Sequence, residues 1–364
     1  MNKIHGGNIY EIGLEFGLDP MEIIDFSASI NPLGFSKKAA RKLRKNLEAI
    51  RHYPDPSCFH LHQALAQFYG LPPEQILAGA GSTEFIYSIP RFLKIRRALI
   101  VTPAFSEYEK ALEIATEEPS RTIHYFETDE RDGFELSTEG LRFALTQGYD
   151  ALYLCNPNNP TGILTPREEV LQILAQAERD NTWLILDEAF MDLAEEESLK
   201  QKAGSSSRLI ILRSLTKFFA LPGLRLGCLI AHPEVIRRFR DNQAPWTVNA
   251  LAQIAALESL QDKNFVIRTR EFIARERDYL RLRLQAIPGF IPYPGTVNFL
   301  FVQLHPSLNL TAAELQARLI SQGILIRDCN SFHHIGPFFF RIAVRTRKEN
   351  NTLLKALRQV VREC

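Results

Sequence analysis

No stretch of about 18 uninterrupted apolar residues occurs in this chain, so no membrane-spanning helix is expected. Cysteine is scarce. Five occur in 364 residues (Cys58, Cys155, Cys228, Cys329 and Cys364), scattered and without C-x-x-C spacing. The pattern argues against a disulfide framework and a zinc knuckle, gives no reason to expect a bound metal, and favours a reducing, cytoplasmic setting. Charge of one sign is missing too. A formal net charge of +1 leaves no bulk attraction to nucleic acid or to an acidic membrane, so any anion must be held locally. The opening Met1-Asn2-Lys3-Ile4-His5-Gly6-Gly7-Asn8 lacks the apolar run of a signal peptide. No internal repeat or low-complexity segment is visible.

What is present is ordinary globular material, 45% hydrophobic and 23% charged, in a chain long enough for one large domain and a smaller one. From Arg97 to His232 short β-rich runs alternate with helical stretches. Ala98–Thr102, Ala151–Cys155, Leu184–Leu186, Leu209–Leu212 and Leu226–Ala231 are near-continuous apolar runs, as in strands covered on both faces. Thr165-Pro166-Arg167-Glu168 predicts a helix start with a threonine cap and a capping-box glutamate. The alternation implies an α/β fold with a mostly parallel sheet and ligands at the carboxyl ends of its strands. A long helix is expected from Asn249 to Ala286, its Arg268, Arg270, Glu271, Arg275, Glu276 and Arg277 forming a solvated face. Strands near Val297–Val302, Ile324–Arg327 and Phe339–Val344, with helices opened at Thr311 and Thr346, predict a smaller α+β unit. The expected division is 46–285 for the large domain and 286–364 for the small one, which residues 1–45 join.

The chemistry concentrates in Ser214-Leu215-Thr216-Lys217-Phe218-Phe219-Ala220-Leu221-Pro222-Gly223-Leu224-Arg225-Leu226-Gly227. A lysine just past a buried strand, with hydroxyls before it and an arginine after it, suits an aldehyde that carries a phosphate. Upstream, the strand Trp183-Leu184-Ile185-Leu186 ends in Asp187, placed to pair with a protonated ring nitrogen. Asn156-Pro157-Asn158-Asn159-Pro160-Thr161-Gly162 also reads as a plain turn. Ala78-Gly79-Ala80-Gly81-Ser82-Thr83-Glu84 leads small residues into a helix, whose first N–H groups favour an anion.

In this order the segments resemble the fold-type I pyridoxal 5′-phosphate (PLP) enzymes of the aspartate aminotransferase superfamily, over nearly the whole chain. The resemblance implies PLP as cofactor, with Lys217 as its Schiff-base lysine and catalytic acid/base. Asp187 would partner the pyridine nitrogen and Asn159 the phenolic oxygen. Gly81, Ser82, Thr83, Ser214 and Arg225 would hold the phosphate, while Phe105 and Ala189 would lie on the two ring faces. Tyr53 resembles the tyrosine that reaches a neighbouring subunit's cofactor, which implies a homodimer with shared active sites. Arg341 resembles the arginine that forks onto a substrate carboxylate. Many relatives carry tyrosine after the Asp-Glu-Ala motif. Here the residue is Phe190, which lacks that hydroxyl and casts doubt on efficient transamination.

Within the superfamily the chain is most similar to two groups that handle phosphate monoesters, the histidinol-phosphate aminotransferases and the L-threonine-O-3-phosphate decarboxylases of cobalamin synthesis. Arg327, in Ile324-Leu325-Ile326-Arg327-Asp328, matches the arginine both use for that phosphate. His5-Gly6-Gly7-Asn8 favours the decarboxylases, in which the histidine and glycine amides help hold substrate phosphate. Asp25-Phe26-Ser27-Ala28-Ser29-Ile30-Asn31 points the same way, although Ser29 stands where asparagine is usual. His60 and His62 read as surface or packing histidines. The implied small-molecule substrate is a phosphorylated amino acid. Whether Cα–COO⁻ or Cα–H is cleaved depends on a rotation that no motif reports, so decarboxylation and transamination both stay open. A non-catalytic PLP-binding sensor is the third reading.

Overall fold

In the computed structural model, which describes residues 5–115 and 122–363, a seven-stranded sheet forms the centre. Met1–Ile4 and Cys364 lie outside the described residues. The strand order is Ile76–Gly79, Gly227–Ala231, Leu209–Ser214, Trp183–Asp187, Ala151–Cys155, Arg97–Thr102 and Thr122–Glu127. Gly227–Ala231 runs antiparallel to both its neighbours, and every other pairing is parallel. The apolar runs alternate between two cores. Leu152, Leu154, Leu184, Leu186, Leu209 and Ile211 face one helical layer, whereas Tyr153, Ile185, Ile210 and Leu212 face the other. Burying such a side chain contributes roughly 1.5–3 kcal/mol, and two buried faces demand unbroken apolar strands.

Two of these strands lack the long apolar run of the others. Thr122–Glu127 is an edge strand with partly exposed residues, and Ile76–Gly79 is only four residues long. The four described cysteines are buried and free. A second, antiparallel sheet has the order Arg327–Asp328, Phe339–Ala343, Phe299–Leu304 and Phe290–Pro292, with its own core around Leu300, Phe340 and Leu357.

Several local expectations need correction. The helix at 165 begins at Arg167 with Pro166 as its cap, because the Thr165 backbone is held in the preceding loop, its N–H donating to Asn156 Oδ1 and its C=O accepting from Asn156 Nδ2. Glu197 accepts the Arg167 N–H at 2.7 Å instead. The long helix breaks into Ala250–Leu260 and Lys263–Gln285, the second capped by the Asp262 carboxylate. Glu276 is buried on that helix and accepts from the exposed Arg347 through Nε at 2.7 Å, so part of the charged face turns toward the last helix instead of solvent. The run at 324–327 splits, since Ile324–Leu325 pairs with Ile24–Asp25 while Arg327–Asp328 joins the antiparallel sheet.

One connection positions the site. From Ile24–Asp25 the chain passes Phe26, bonded to Leu325 and Ala343, and reaches Asn31, whose N–H donates to Lys217 O at 3.0 Å. Residues 24–31 therefore tie the smaller sheet to the lysine turn.

Candidate active site

Five of the parallel strands end at one edge of the large sheet, where α/β proteins bind ligands. Lys217 sits there on a single helical turn, Leu215–Phe218, directly after the strand Leu209–Ser214. Its Nζ donates to Ser214 Oγ at 3.0 Å, and Ser214 Oγ lies 2.8 Å from Thr216 Oγ1. Burial pushes the Lys217 ammonium pKa down; Asp187 opposes this, and the cations Arg225 and Arg341 reinforce it. The amine therefore loses its proton more readily than a surface lysine, as a nucleophile or proton shuttle requires.

Asp187 ends the neighbouring strand. Its Oδ2 accepts the Tyr108 hydroxyl at 2.5 Å and its Oδ1 accepts the Ala189 N–H at 2.9 Å. Burial raises its pKa, while the Tyr108 hydrogen bond, Lys217 and the Ala189 N–H pull it down. A buried carboxylate held this way suits a cationic N–H partner, as a protonated pyridine would be.

An anion cradle lies beside the lysine. Gly81, with φ of +84°, opens the helix Ser82–Phe92. A Cβ at Gly81 would come 2.9 Å from Arg225 Nη2, and one at Gly227 would come 2.4 Å from the Ser82 nitrogen. Glycine at both positions lets the helix start settle onto the sheet edge against the guanidinium. Backbone N–H groups at Ser82 and Thr83, the Ser214 hydroxyl and Arg225 are the donor set a phosphate monoester needs. With Lys217 and Asp187 alongside, these residues fit PLP.

Across the cleft stand two further cations. Arg327 and Arg341 are direct partners on adjacent antiparallel strands, so both side chains leave the same face. Both are buried. Arg341 Nη1 donates to Asn159 Oδ1 and Nη2 to Ser27 O at 3.2 Å, but its Nε has no hydrogen-bond partner. Burial pulls the Arg341 pKa down to about 10, and Arg327 adds to that effect. Arg327 Nη2 donates to Ser331 Oγ at 2.8 Å. A pocket joins His5, Gly6, Phe105, Asn159, Arg327 and Arg341, and opens beside a larger cavity of about 1110 Å³ that shares His5, Arg327 and Ser331. Two guanidinium groups facing one pocket repel each other, and anionic ligand groups would relieve that repulsion.

The remaining predicted residues fall around this pocket or beyond it. Gly6 packs so tightly that a Cβ would meet Ser27 O at 2.2 Å, and Gly7 N–H donates to Ser27 Oγ at 2.8 Å. His5 Nε2 lies 2.9 Å from Glu107 Oε1, and its ring tilts against Phe105. Ser29 is buried, and its hydroxyl has no hydrogen-bond partner. Ala189 and Phe190 pack with Val297 and Phe299, and Lys217 Nζ lies 5.1 Å from the Phe190 ring centroid. Tyr53 stands apart, 79% exposed and stacked on Trp246 at 4.5 Å.

Sequence reasoning missed Tyr108, Glu107, Ser331 and Asn31. A buried tyrosine needs a hydroxyl partner, yet nothing local to Tyr108 indicates that the partner is Asp187. Glu107 looks like any first-turn acid of a helix, but it is buried and takes both His5 and the Tyr87 hydroxyl.

Residues 21–357 match the family model for aminotransferase class I and II. A threonine-phosphate decarboxylase of Salmonella typhimurium is 41% identical over 362 residues, covering 99% of this chain and 97% of that protein. The crystal structure of the histidinol-phosphate aminotransferase from Clostridium acetobutylicum superposes with a TM-score of 0.85 at 27% identity, covering 93% of this chain and 99% of that one. The L-threonine-O-3-phosphate decarboxylase from Porphyromonas gingivalis superposes with a TM-score of 0.80 at 28% identity, with the same coverage of both chains.

Proposed function

The chain belongs to the class I and II aminotransferase family, and on that premise we propose that it decarboxylates L-threonine O-3-phosphate with PLP. The products would be CO₂ and (R)-1-amino-2-propanol O-2-phosphate, a step of cobalamin synthesis. The observation that carries this reading is the cross-strand pair Arg327 and Arg341, two buried cations facing the pocket beside Lys217. A substrate with both a carboxylate and a phosphate supplies one anion to each.

Gly81, Ser82, Thr83, Ser214 and Arg225 would hold the cofactor phosphate, with Asp187 at its ring nitrogen, Asn159 at its phenolic oxygen, and Phe105 and Ala189 on its faces. Bound there, PLP supplies an electron sink for the pair released when a bond to the substrate α-carbon breaks. Arg341 and Asn159 orient the substrate carboxylate. Arg327, His5, Gly6 and Ser29 fix the far end of the substrate. That two-point hold turns the Cα–COO⁻ bond toward the cleaving geometry. Lys217, buried and easily neutralised, accepts and returns protons and protonates the α-carbon after CO₂ departs. Phe190 gives the phenolic oxygen no hydroxyl, which disfavours transamination in this reading.

The exposed Tyr53–Trp246 stack supports a homodimer in which Tyr53 reaches the partner's cofactor phosphate. Within the grouping of 1–45 with 286–364 against a larger unit at 46–285, the pairing of Ile24–Asp25 with Ile324–Leu325 supports the first part of the segment, while the helix Lys37–Lys45 packs on Ala250–Leu260 of the larger unit. Among the described residues no helix is long and apolar enough to cross a membrane. Cytoplasmic residence is part of the same proposal.

The test measures CO₂ and amine released by purified holoenzyme from L-threonine O-3-phosphate with no keto acid present. Stoichiometric CO₂ and aminopropanol phosphate are expected. The likeness to a histidinol-phosphate aminotransferase structure motivates the second reading. Glutamate formed from histidinol phosphate and 2-oxoglutarate, without CO₂, would replace the first.

A further inference from the structure

Outside the cofactor pocket, the edge strand Thr122–Glu127 ends at Glu127, and the loop after Arg327–Asp328 brings His333 and His334 against it. One ligand atom from each of the three residues lies within 4.8 Å of the other two. His334 Nε2 touches Glu127 Oε1 directly. His333 stacks on Tyr125 with centroids 4.1 Å apart, and the Tyr125 hydroxyl is anchored on Glu109. Consecutive side chains in extended backbone point to opposite sides. Here His334 has φ of +60°, and the two imidazoles come together at 4.2 Å. Left-handed backbone at a non-glycine residue is uncommon, and here it lies in a turn in which both rings meet.

We propose that Glu127, His333 and His334 form a binding site for a late first-row divalent cation, with zinc the best match. Two imidazole nitrogens and a carboxylate oxygen make a borderline donor set that prefers zinc to magnesium or calcium. Three protein ligands leave the fourth tetrahedral position to water, and the half-exposed Glu127 and His334 give the ion an entry path. Closing on an ion needs ligand atoms about 3.4 Å apart, the span of two ~2.1 Å bonds, which rotation of exposed side chains can supply. The ion would fasten the loop that carries Ser331 and Phe332, which line the Arg327 pocket, to the edge of the large sheet. Cation binding itself does not depend on the proposed reaction; only its bearing on substrate rests on that reading.

The test titrates zinc into tag-free holoenzyme by calorimetry, with Glu127→Gln and His334→Asn alongside and cofactor absorbance as the check on folding. Wild type should take up one zinc with micromolar affinity, and each variant should bind about tenfold or more weakly. Zinc should also slow amide exchange across residues 329–336 in wild type but not in His334→Asn. Zinc affinity unchanged in both variants, or no zinc uptake by wild type, would overturn the site. Zinc uptake without slowed exchange would overturn the fastening of the loop. Turnover of threonine phosphate is measured separately, so its loss would sink the decarboxylase reading and leave the metal site standing.

Discussion

Replacing Arg341 by methionine should separate binding from folding. The buried guanidinium has its pKa pulled from 12.5 to about 10, a destabilisation of the charged form of about 3 kcal/mol. A base whose folded pKa lies below its unfolded value carries that penalty in full at neutral pH, and stability would recover only above about pH 10. Against it stand hydrogen bonds to Asn159 and Ser27, about 1 kcal/mol each, and a cation–π contact with Phe299 at 4.6 Å, about 1–2 kcal/mol when buried. The terms nearly cancel, so Arg341→Met should unfold within about 1 kcal/mol of wild type. Substrate binding should respond differently. A carboxylate on Arg341 takes two charge-assisted bonds of roughly 1.5–3 kcal/mol each, so kcat/KM should fall by about 10²–10⁴. The assay pairs CO₂ release from L-threonine O-3-phosphate with urea unfolding of the same holoenzyme. A kcat/KM within a few-fold of wild type would refute the assignment of Arg341 to a substrate anion, and unfolding far below wild type would refute the energy balance.

Other outcomes rest on single contacts. Tyr108→Phe removes the 2.5 Å donor to Asp187 and raises its carboxyl pKa further, so cofactor should dissociate about tenfold more readily in a spectroscopic titration. Gly6→Ala forces the N-terminal segment off Ser27 O, and KM for phosphorylated substrate should rise about tenfold or more while the unfolding midpoint holds. Unchanged KM would remove that segment from the site. Arg213 faces Glu188 at 3.0 Å, Glu195 at 2.9 Å and Asp192 at 3.7 Å, and burial raises the Asp192 carboxyl to about 7. Between the ordinary carboxylate range and about pH 7 the native state holds a proton that the unfolded chain has lost. Stability should therefore fall with rising pH there, by up to about 1.4 kcal/mol per pH unit. Asp192→Asn should flatten the slope in urea melts at pH 5 and 8; an identical slope would place the proton elsewhere.

The α/β class and the strands through the middle of the large sheet were legible because burial on both faces demands continuous apolar runs. Leu209–Ser214 and Ala151–Cys155 show this. Thr122–Glu127 was illegible because an edge strand has one half-exposed face, and the start of the helix at Arg167 was misread because the Asn156 side chain holds the Thr165 backbone in the preceding loop. For the candidate site, strand ends and glycine-rich turns marked Lys217, Asp187 and Gly81–Thr83, since those signals are local. Distant partners such as Tyr108 on Asp187 carry no such mark.

By itself, then, the sequence determined the features that neighbours along the chain dictate. It set the buried strands, the capping boxes at Thr311 and Thr346, and the lysine and acid placed where strands end. Tertiary structure alone decided which distant groups meet. It set Arg327 opposite Arg341, ran residues 24–31 across to the lysine turn, put Tyr108 on Asp187 and Glu107 beneath His5, and gathered Glu127 with His333 and His334. The reason is physical. Periodicity and turn chemistry act over a few residues, whereas the charge and hydrogen-bond partners of a buried group are set by how whole layers pack.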